Sequence, residues 1–202
     1  EVLADLLCAI KKEIPYYIRI NRVVRDFPGE SIVAGNKITN LRETLSKKLD
    51  DEGVTCKCIR CTEAKERDIN EEDIHLYIDE YNASDGKELF IVYSSKDRQT
   101  LYAFCRLRFP GNNNMDSPFK ELRKAAIIRE LHTFGRLVPI AQKTAGAPQH
   151  SGLGKRLMEE AEKQAIDHGY DKMAIISGIG VRAYYHKLGY ATEGTYVTKS
   201  LC

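Results

Sequence analysis

Apolar residues in the second half of the chain recur with the period of two that is typical of β-strands. Five segments alternate in this way or form short apolar runs: residues 88–94, 100–109, 125–134, 172–179 and 194–201. The first two are predicted to pair as an antiparallel hairpin around residues 96–98. Residues 172–179 form an apolar run, which favours a parallel strand buried on both faces.

Two helices are predicted among these strands. Residues 155–168 carry an apolar stripe at helical spacing, which includes Leu157 and Ala161. A shorter helix is predicted over residues 181–188. The resulting order of strands, glycine-rich turn, helix, strand, helix and strand favours an α/β fold, with a mixed sheet flanked by helices.

The first part of the chain is predicted to form a small α+β module. Helical spacing of apolar residues predicts a helix over residues 1–13, and alternation predicts a strand over residues 16–24. Asn40 is a suitable N-cap for a second helix over residues 41–49.

The pattern of apolar and polar residues changes after about residue 62, which indicates a domain boundary. Residues 74–81 fit either a short helix or an irregular strand, and the pattern does not decide between them. We expect two domains, a linker module over residues 1–62 and an α/β domain over residues 63–202.

Composition narrows the class of protein. With 43% hydrophobic and 30% charged residues among 202, the chain is expected to be soluble, globular and cytoplasmic, and no apolar run approaches the length of a membrane span. The net charge of +2 does not require a nucleic-acid partner, so such a surface has to be local. The chain begins with glutamate, which suggests a processed or excised part of a longer protein.

Three of the six cysteines lie close together, at Cys56, Cys58 and Cys61. Thiolates at this spacing are typical zinc ligands, so a structural metal site is predicted. Cys8, His75 or a group outside the chain are the candidates for a fourth ligand. An iron–sulfur ligand set and three unpaired thiols are the alternatives.

A local basic cluster precedes these cysteines and consists of Arg19, Arg22 and Arg25. It is either a solvated face or a surface that contacts the phosphates of a nucleic acid.

Residues 127–154 contain the most informative pattern in the chain. A strand leads through a loop to Gly152 and Gly154, and a helix follows at once. Glycines allow a backbone to approach phosphate oxygens closely, and the first amides of a helix bind anions. Because Lys155 is followed by Arg156, the turn is not a nucleotide-hydrolysing P-loop, and it also lacks the third glycine of a dinucleotide fingerprint.

These features resemble the GNAT acetyltransferases, and more closely the family of Elongator catalytic subunits, which join a radical-SAM domain to a GNAT-like domain. The segments that carry the closer resemblance are residues 22–28, 40–42, 129–132, 149–154, 157–162, 176–180 and 183–190. The resemblance implies that acetyl-CoA is bound, with its pantetheine between two splayed strands. The implied coenzyme contacts are Glu130, Leu131, His132, Gln149, His150, Ser151, Gly152, Leu153, Gly154, Lys155, Tyr184 and Tyr185.

Candidate catalytic residues follow from the same resemblance and from spacing. One of Tyr184 and Tyr185 is expected to protonate or hold the thiolate of coenzyme A, and the sequence does not say which. Glu130 and His132 lie on one face of a strand and fit the role of a base towards an amine, or else a salt bridge and a packed ring.

The implied function is acetyl-CoA-dependent modification of wobble uridine-34 in tRNA, ending in a 5-carboxymethyl group. No cysteine arrangement suited to a radical-SAM cluster precedes these segments, so S-adenosylmethionine and a 4Fe–4S cluster are expected only in an absent domain. A protein lysine N-acetyltransferase and a non-catalytic tRNA-binding module with a vestigial acetyl-CoA site are the alternatives. Other Elongator subunits or a second copy of the chain are the expected protein partners, and no membrane is expected.

Overall fold

The structure is a computed structural model, which describes residues 2–23, 28–38, 40–65, 71–134 and 152–201. The chain divides into two compact units, Glu1–Glu63 and Ala64–Cys202. Within the described ranges, no helix has the length and apolar character needed to cross a membrane.

The described residues of the first unit include the α-helices α1 (Val2–Glu13), α2 (Leu41–Asp51) and α3 (Ile59–Thr62). Helix α1 ends at Glu13, two residues before Pro15, because proline has no N–H to continue the helical hydrogen bonds. The core between the helices is small, and its buried members are Cys8, Leu41, Leu45, Leu49, Cys56 and Cys58. Two of the clustered cysteines therefore belong to the core of this unit.

The predicted strand over residues 16–24 is wrong for the part that the structure describes, residues 16–23. Backbone carbonyls there are used by groups other than a neighbouring strand. The guanidinium of Arg42 donates to the carbonyl of Ile20 at 2.8 Å, and the amide of Ile59 donates to that of Ile18 at 3.0 Å. Alternation alone does not form a strand when no second strand is available for pairing.

The second unit is a seven-stranded sheet. Its strands are β1 (His75–Ala83), β2 (Gly86–Ser94), β3 (Leu101–Phe109), β4 (Ala125–Thr133), β5 (Lys172–Ile175), β6 (Ala191–Glu193) and β7 (Tyr196–Ser200). The spatial order is β1-β2-β3-β4-β5-β7-β6, and among these described strands only the β4–β5 pair is parallel. The predicted α/β fold with a mixed sheet is confirmed.

Two helices accompany the sheet, α4 (Leu153–Asp167) and α5 (Arg182–Lys187). The apolar stripe of α4 is buried and joins the main core of the unit, through Leu153, Leu157, Met158, Ala161 and Ala165. The stripe predicted from helical spacing thus positions the start of α4 against the sheet.

Three strand predictions are refined by the structure. Residues 74–81, which the pattern left undecided, lie largely in the regular edge strand β1. The final strand predicted over residues 194–201 corresponds to β7, and the short strand β6, which pairs with β7 across a turn at Gly194 with a φ of +59°, was not predicted. The strand predicted over residues 172–179 ends at Ile175, four residues early.

Candidate functional site

A groove opens where β4 and β5 part. The two strands pair in parallel from Ala125 with Lys172 to Ile128 with Ile175, and the amide of Ile176 adds a final bond to Ile128 at 3.0 Å. Beyond this point the remaining residues of β4 pair only with β3, as far as the chain is described. Beyond Ile128, the backbone groups of β4 that face away from β3 have no strand partner among the described residues, and they are candidate contacts for an extended ligand.

A β-bulge in β4 lies at the same place. Arg106 of β3 pairs with Glu130 and Leu107 pairs with Ile128, so Arg129 is the inserted residue. The bulge bends β4 just where it leaves β5. Such irregularities commonly redirect side chains at functional sites.

The N-terminus of α4 borders this groove. Gly152 is the N-cap in the left-handed region, with a φ of +68°, and as a glycine it has no side chain to cap the helix. The first amides of α4 are therefore candidates for binding an anion. A Cβ at Gly154 would lie 2.9 Å from Tyr184 Oη and 3.7 Å from Thr133 Cγ2, so Gly154 marks the meeting of β4, α4 and α5.

The two neighbouring tyrosines have different environments. Tyr184 is 39% exposed, and its hydroxyl lies beside Gly154. Tyr185 is 6% exposed and belongs to the main core. Burial raises the pKa of Tyr184, and burial, with smaller electrostatic contributions from Cys105 and Tyr184, raises the pKa of Tyr185 to about 12. Both hydroxyls stay protonated at neutral pH, and only that of Tyr184 is beside the groove.

Glu130 and His132 do lie together, and Glu130 is held by further contacts. One oxygen of Glu130, Oε2, accepts a bond from Arg106 Nε at 2.9 Å, and the other, Oε1, lies 3.1 Å from His132 Nε2. The ring of His132 stacks on Phe104 with centroids 5.3 Å apart. Both carboxylate oxygens are thus engaged within the protein.

A buried carboxylate extends this network across the sheet. The side chain of Glu88 is 2% exposed and lies 2.5 Å from Arg129 and 3.7 Å from Arg106. Tyr81 donates to Glu88 and accepts from Arg106 at 2.8 Å. The charges alternate from Arg129 through Glu88 and Arg106 to Glu130. Sequence reasoning missed this network, because the cross-strand register that assembles it is not visible in one strand.

The other implied coenzyme contacts are placed as follows. Leu153 is fully buried, so only its backbone is a candidate for contact, whereas Leu131 is partly buried against the core. Lys155 is exposed and lies 3.6 Å from Glu159. The predicted contacts Gln149, His150 and Ser151 lie outside the described residues, as does Arg25.

The remaining arginines of the basic cluster differ in their surroundings. Arg19 lies 3.3 Å from Glu63 and donates to Asn21 at 3.0 Å, and Arg60 lies 2.7 Å from the same Glu63. Arg22 is exposed. Arg19 therefore helps to order the unit, and Arg22 offers the more accessible positive charge.

The three clustered cysteines converge in space. The Sγ atoms of Cys56, Cys58 and Cys61 all lie within 4.8 Å of one another. Thiolates on tetrahedral zinc lie about 3.8 Å apart, given Zn–S bonds of about 2.3 Å, so the set fits zinc. In the described ranges no fourth histidine, cysteine, aspartate or glutamate joins this group, and Cys8 is not a member.

A buried lysine accompanies the thiols and was not predicted from sequence. Lys11 Nζ lies 3.5 Å from Cys61 Sγ. Burial lowers the pKa of Lys11, but negative charge on Cys61, Cys56 and Cys58 outweighs this effect, and the net shift is upward. Bonds from the other two cysteine side chains lower the pKa of Cys58. Bonds from Cys56 and Cys58 raise the pKa of Cys61, so Cys58 is the thiol of this group that favours the thiolate form.

Comparison with known proteins agrees with this geometry. A family model described as "Acetyltransferase (GNAT) family" matches residues 144–190, which include α4, β5 and α5. Elongator complex protein 3 of Danio rerio is 36% identical over 204 residues, which cover 98% of this chain and 37% of that protein. The tRNA uridine(34) acetyltransferase of Methanocaldococcus jannaschii is 37% identical over 216 residues, which cover 100% of this chain and 38% of that protein.

A solved structure extends the comparison. The archaeal Methanocaldococcus infernus Elp3 with N-terminus deletion (1-46) is 36% identical and superposes with a TM-score of 0.82, over 98% of this chain and 47% of that one. The sheet order, the parted strands and the family model define the second unit as a domain of the GNAT fold. The chain as a whole is a relative of Elongator complex protein 3, as the sequence motifs predict, and it spans less than two fifths of the length of these curated relatives.

Proposed function

We propose that this chain binds acetyl-CoA and uses its thioester in the modification of wobble uridine-34 of tRNA. One observation carries the proposal: the open edge of β4, the uncapped start of α4 and the hydroxyl of Tyr184 meet around Gly154. The name of the archaeal relative, tRNA uridine(34) acetyltransferase, supports a tRNA acceptor.

The groove suggests how the coenzyme is held. Its pyrophosphate would accept hydrogen bonds from the first amides of α4, and the pantetheine would lie along β4 beyond Ile128. As a nucleophile, water in the case of hydrolysis, takes the acetyl group and the C–S bond breaks, Tyr184 would donate its proton to the sulfur, so that coenzyme A leaves as the neutral thiol; the proton that the nucleophile loses would restore the tyrosine.

The finer chemistry, formation of a 5-carboxymethyl group, needs more than these residues. The radical step that the resemblance implies would require S-adenosylmethionine and a 4Fe–4S cluster held by residues other than these 202. Other Elongator subunits or a second copy of the chain would be the protein partners. Exposed Arg22 is the described residue that we propose for contact with tRNA phosphate.

Protein lysine acetylation is an alternative function for the same site, and the contacts of Glu130 support it less well. It needs a base that removes a proton from an amine, and Glu130 is the candidate on β4. Arg106 and His132 each contact one of its two oxygens, so Glu130 would have to accept that proton while it keeps both contacts.

Release of free coenzyme A, followed with a thiol reagent with and without tRNA, tests the proposal. We expect tRNA to increase the release. Acetylation of a peptide amine without RNA would favour the lysine acetyltransferase instead. If no coenzyme A is released under either condition while tRNA still binds, the chain is a non-catalytic RNA-binding module.

We also propose that Cys56, Cys58 and Cys61 hold a structural zinc ion, since their spacing fits thiolate ligands. Replacing the fully buried Cys58 by serine is expected to abolish stoichiometric zinc and to loosen the first unit, because metal binding and folding are coupled. Zinc content by elemental analysis and affinity for acetyl-CoA are the two measurements, and the affinity is expected to stay unchanged.

The matched control is Cys8→Ala, which alters a buried cysteine of the same core outside the thiol group. This variant is expected to retain zinc. Loss of zinc in Cys8→Ala as well would make Cys8 a ligand, and retention of zinc in Cys58→Ser would exclude the three-thiolate site.

A further inference from the structure

Lys11 is an unusual residue in the first unit. Its side chain lies on α1 and the residue is only 3% exposed, although lysine is rarely buried unless it is paired. Among the described residues no carboxylate pairs with Lys11, whose ammonium lies 3.5 Å from Cys61 Sγ and also interacts with Cys56. The adjacent Lys12, in contrast, is exposed and pairs with Glu52.

The charges of the proposed zinc site explain this placement. A zinc ion of +2 with three thiolates of −1 each carries a net charge of −1, and an ammonium beside it brings the total to zero. Cys56, Cys58 and Lys11 are buried, whereas Cys61 is exposed, and an uncompensated charge on the buried side of the site would be costly. An ammonium has no lone pair, so Lys11 balances the charge and cannot be the fourth ligand.

We propose that Lys11 is the counter-ion of the cysteine centre and that its positive charge helps to set the affinity for zinc. This inference rests on the proposed zinc site. Lys11 lies on α1, whereas the three cysteines lie at and around α3, so the pairing ties the position of α1 to the presence of the metal complex. Cys8, three residues before Lys11, faces the same core and keeps that side of α1 buried.

Zinc affinity of the chain, measured by competition with a chromogenic chelator, tests the proposal in four proteins: the parent chain, Lys11→Met, Lys11→Arg and Lys12→Met. Lys11→Met is expected to weaken zinc binding by about 10- to 100-fold, the usual effect of removing a residue that supports metal ligands. Lys11→Arg keeps the charge and is expected to stay near the parent. Lys12→Met is expected to have no effect.

Two further measurements separate a charge effect from a loss of structure. The zinc-free form of Lys11→Met is expected to be at least as stable as the zinc-free parent, because an apolar side chain replaces a buried charge. The absorption spectrum of the cobalt(II) complex is expected to show the same thiolate coordination in both. If Lys11→Met does not fold, Lys11→Gln takes its place.

Three results would overturn the proposal. Parental zinc affinity in Lys11→Met would show that the charge is not used. Equal weakening in Lys11→Arg and Lys11→Met would show that the shape of the side chain matters and its charge does not. Failure of the parent chain to bind zinc would remove the metal site itself, and this inference with it.

Discussion

Replacing Gly152 by glutamate is expected to abolish detectable binding of acetyl-CoA. Gly152 is the N-cap of α4, where the proposed pyrophosphate lies, and the new carboxylate would bring a like charge to that anion. Two unit charges 4 Å apart near a protein surface repel by about 4 kcal/mol, which corresponds to a loss of roughly 1000-fold in affinity. Isothermal titration calorimetry of the chain with acetyl-CoA measures the effect.

A neutral substitution at the same position provides the control. Gly152 has a φ of +68°, so any side chain there is strained, and asparagine is among the residues that tolerate this conformation best. Gly152→Asn is therefore expected to retain much of the affinity. If Gly152→Glu binds acetyl-CoA as well as Gly152→Asn does, the start of α4 is not the phosphate site.

The start of α4 could be predicted from sequence because its determinants are local. An apolar stripe at helical period directly follows two closely spaced glycines. This local pattern predicts a helix whose first amides can bind an anion. The strands β2, β3 and β4 were predicted for a similar reason, since alternation along one strand reports the two faces of a sheet.

Features that depend on contacts between distant segments could not be predicted. Tyr184 and Tyr185 are equivalent in the sequence, and only the packing of α5 buries one and leaves the other beside Gly154. The engagement of Glu130 by Arg106 depends on the register of β3 and β4 and on the bulge at Arg129. The strand predicted from residue 16 failed because its carbonyls accept bonds from Arg42 and Ile59, which lie elsewhere in the unit.

Tyr184→Phe is expected to lower tRNA-stimulated release of coenzyme A by about 10²- to 10⁴-fold, the range for loss of a positioned proton donor. The hydroxyl of Tyr184 lies beside Gly154 at the groove, and burial raises its pKa above the ordinary value of 10.0. The group therefore carries its proton throughout the neutral range and can deliver it to the leaving sulfur. Affinity for acetyl-CoA, measured separately by calorimetry, is expected to change little, because the ring and its packing remain.

Tyr185→Phe is the matched comparison, since it removes the same atom from the neighbouring residue. Tyr185 is buried in the core, so its hydroxyl has no access to the groove, and release of coenzyme A is expected to stay near the parental rate. A loss of activity in Tyr185→Phe with none in Tyr184→Phe would reverse the assignment. If both variants release coenzyme A at the parental rate, the thiolate leaves without a proton from either tyrosine. The groove then contributes to the reaction only by positioning the thioester.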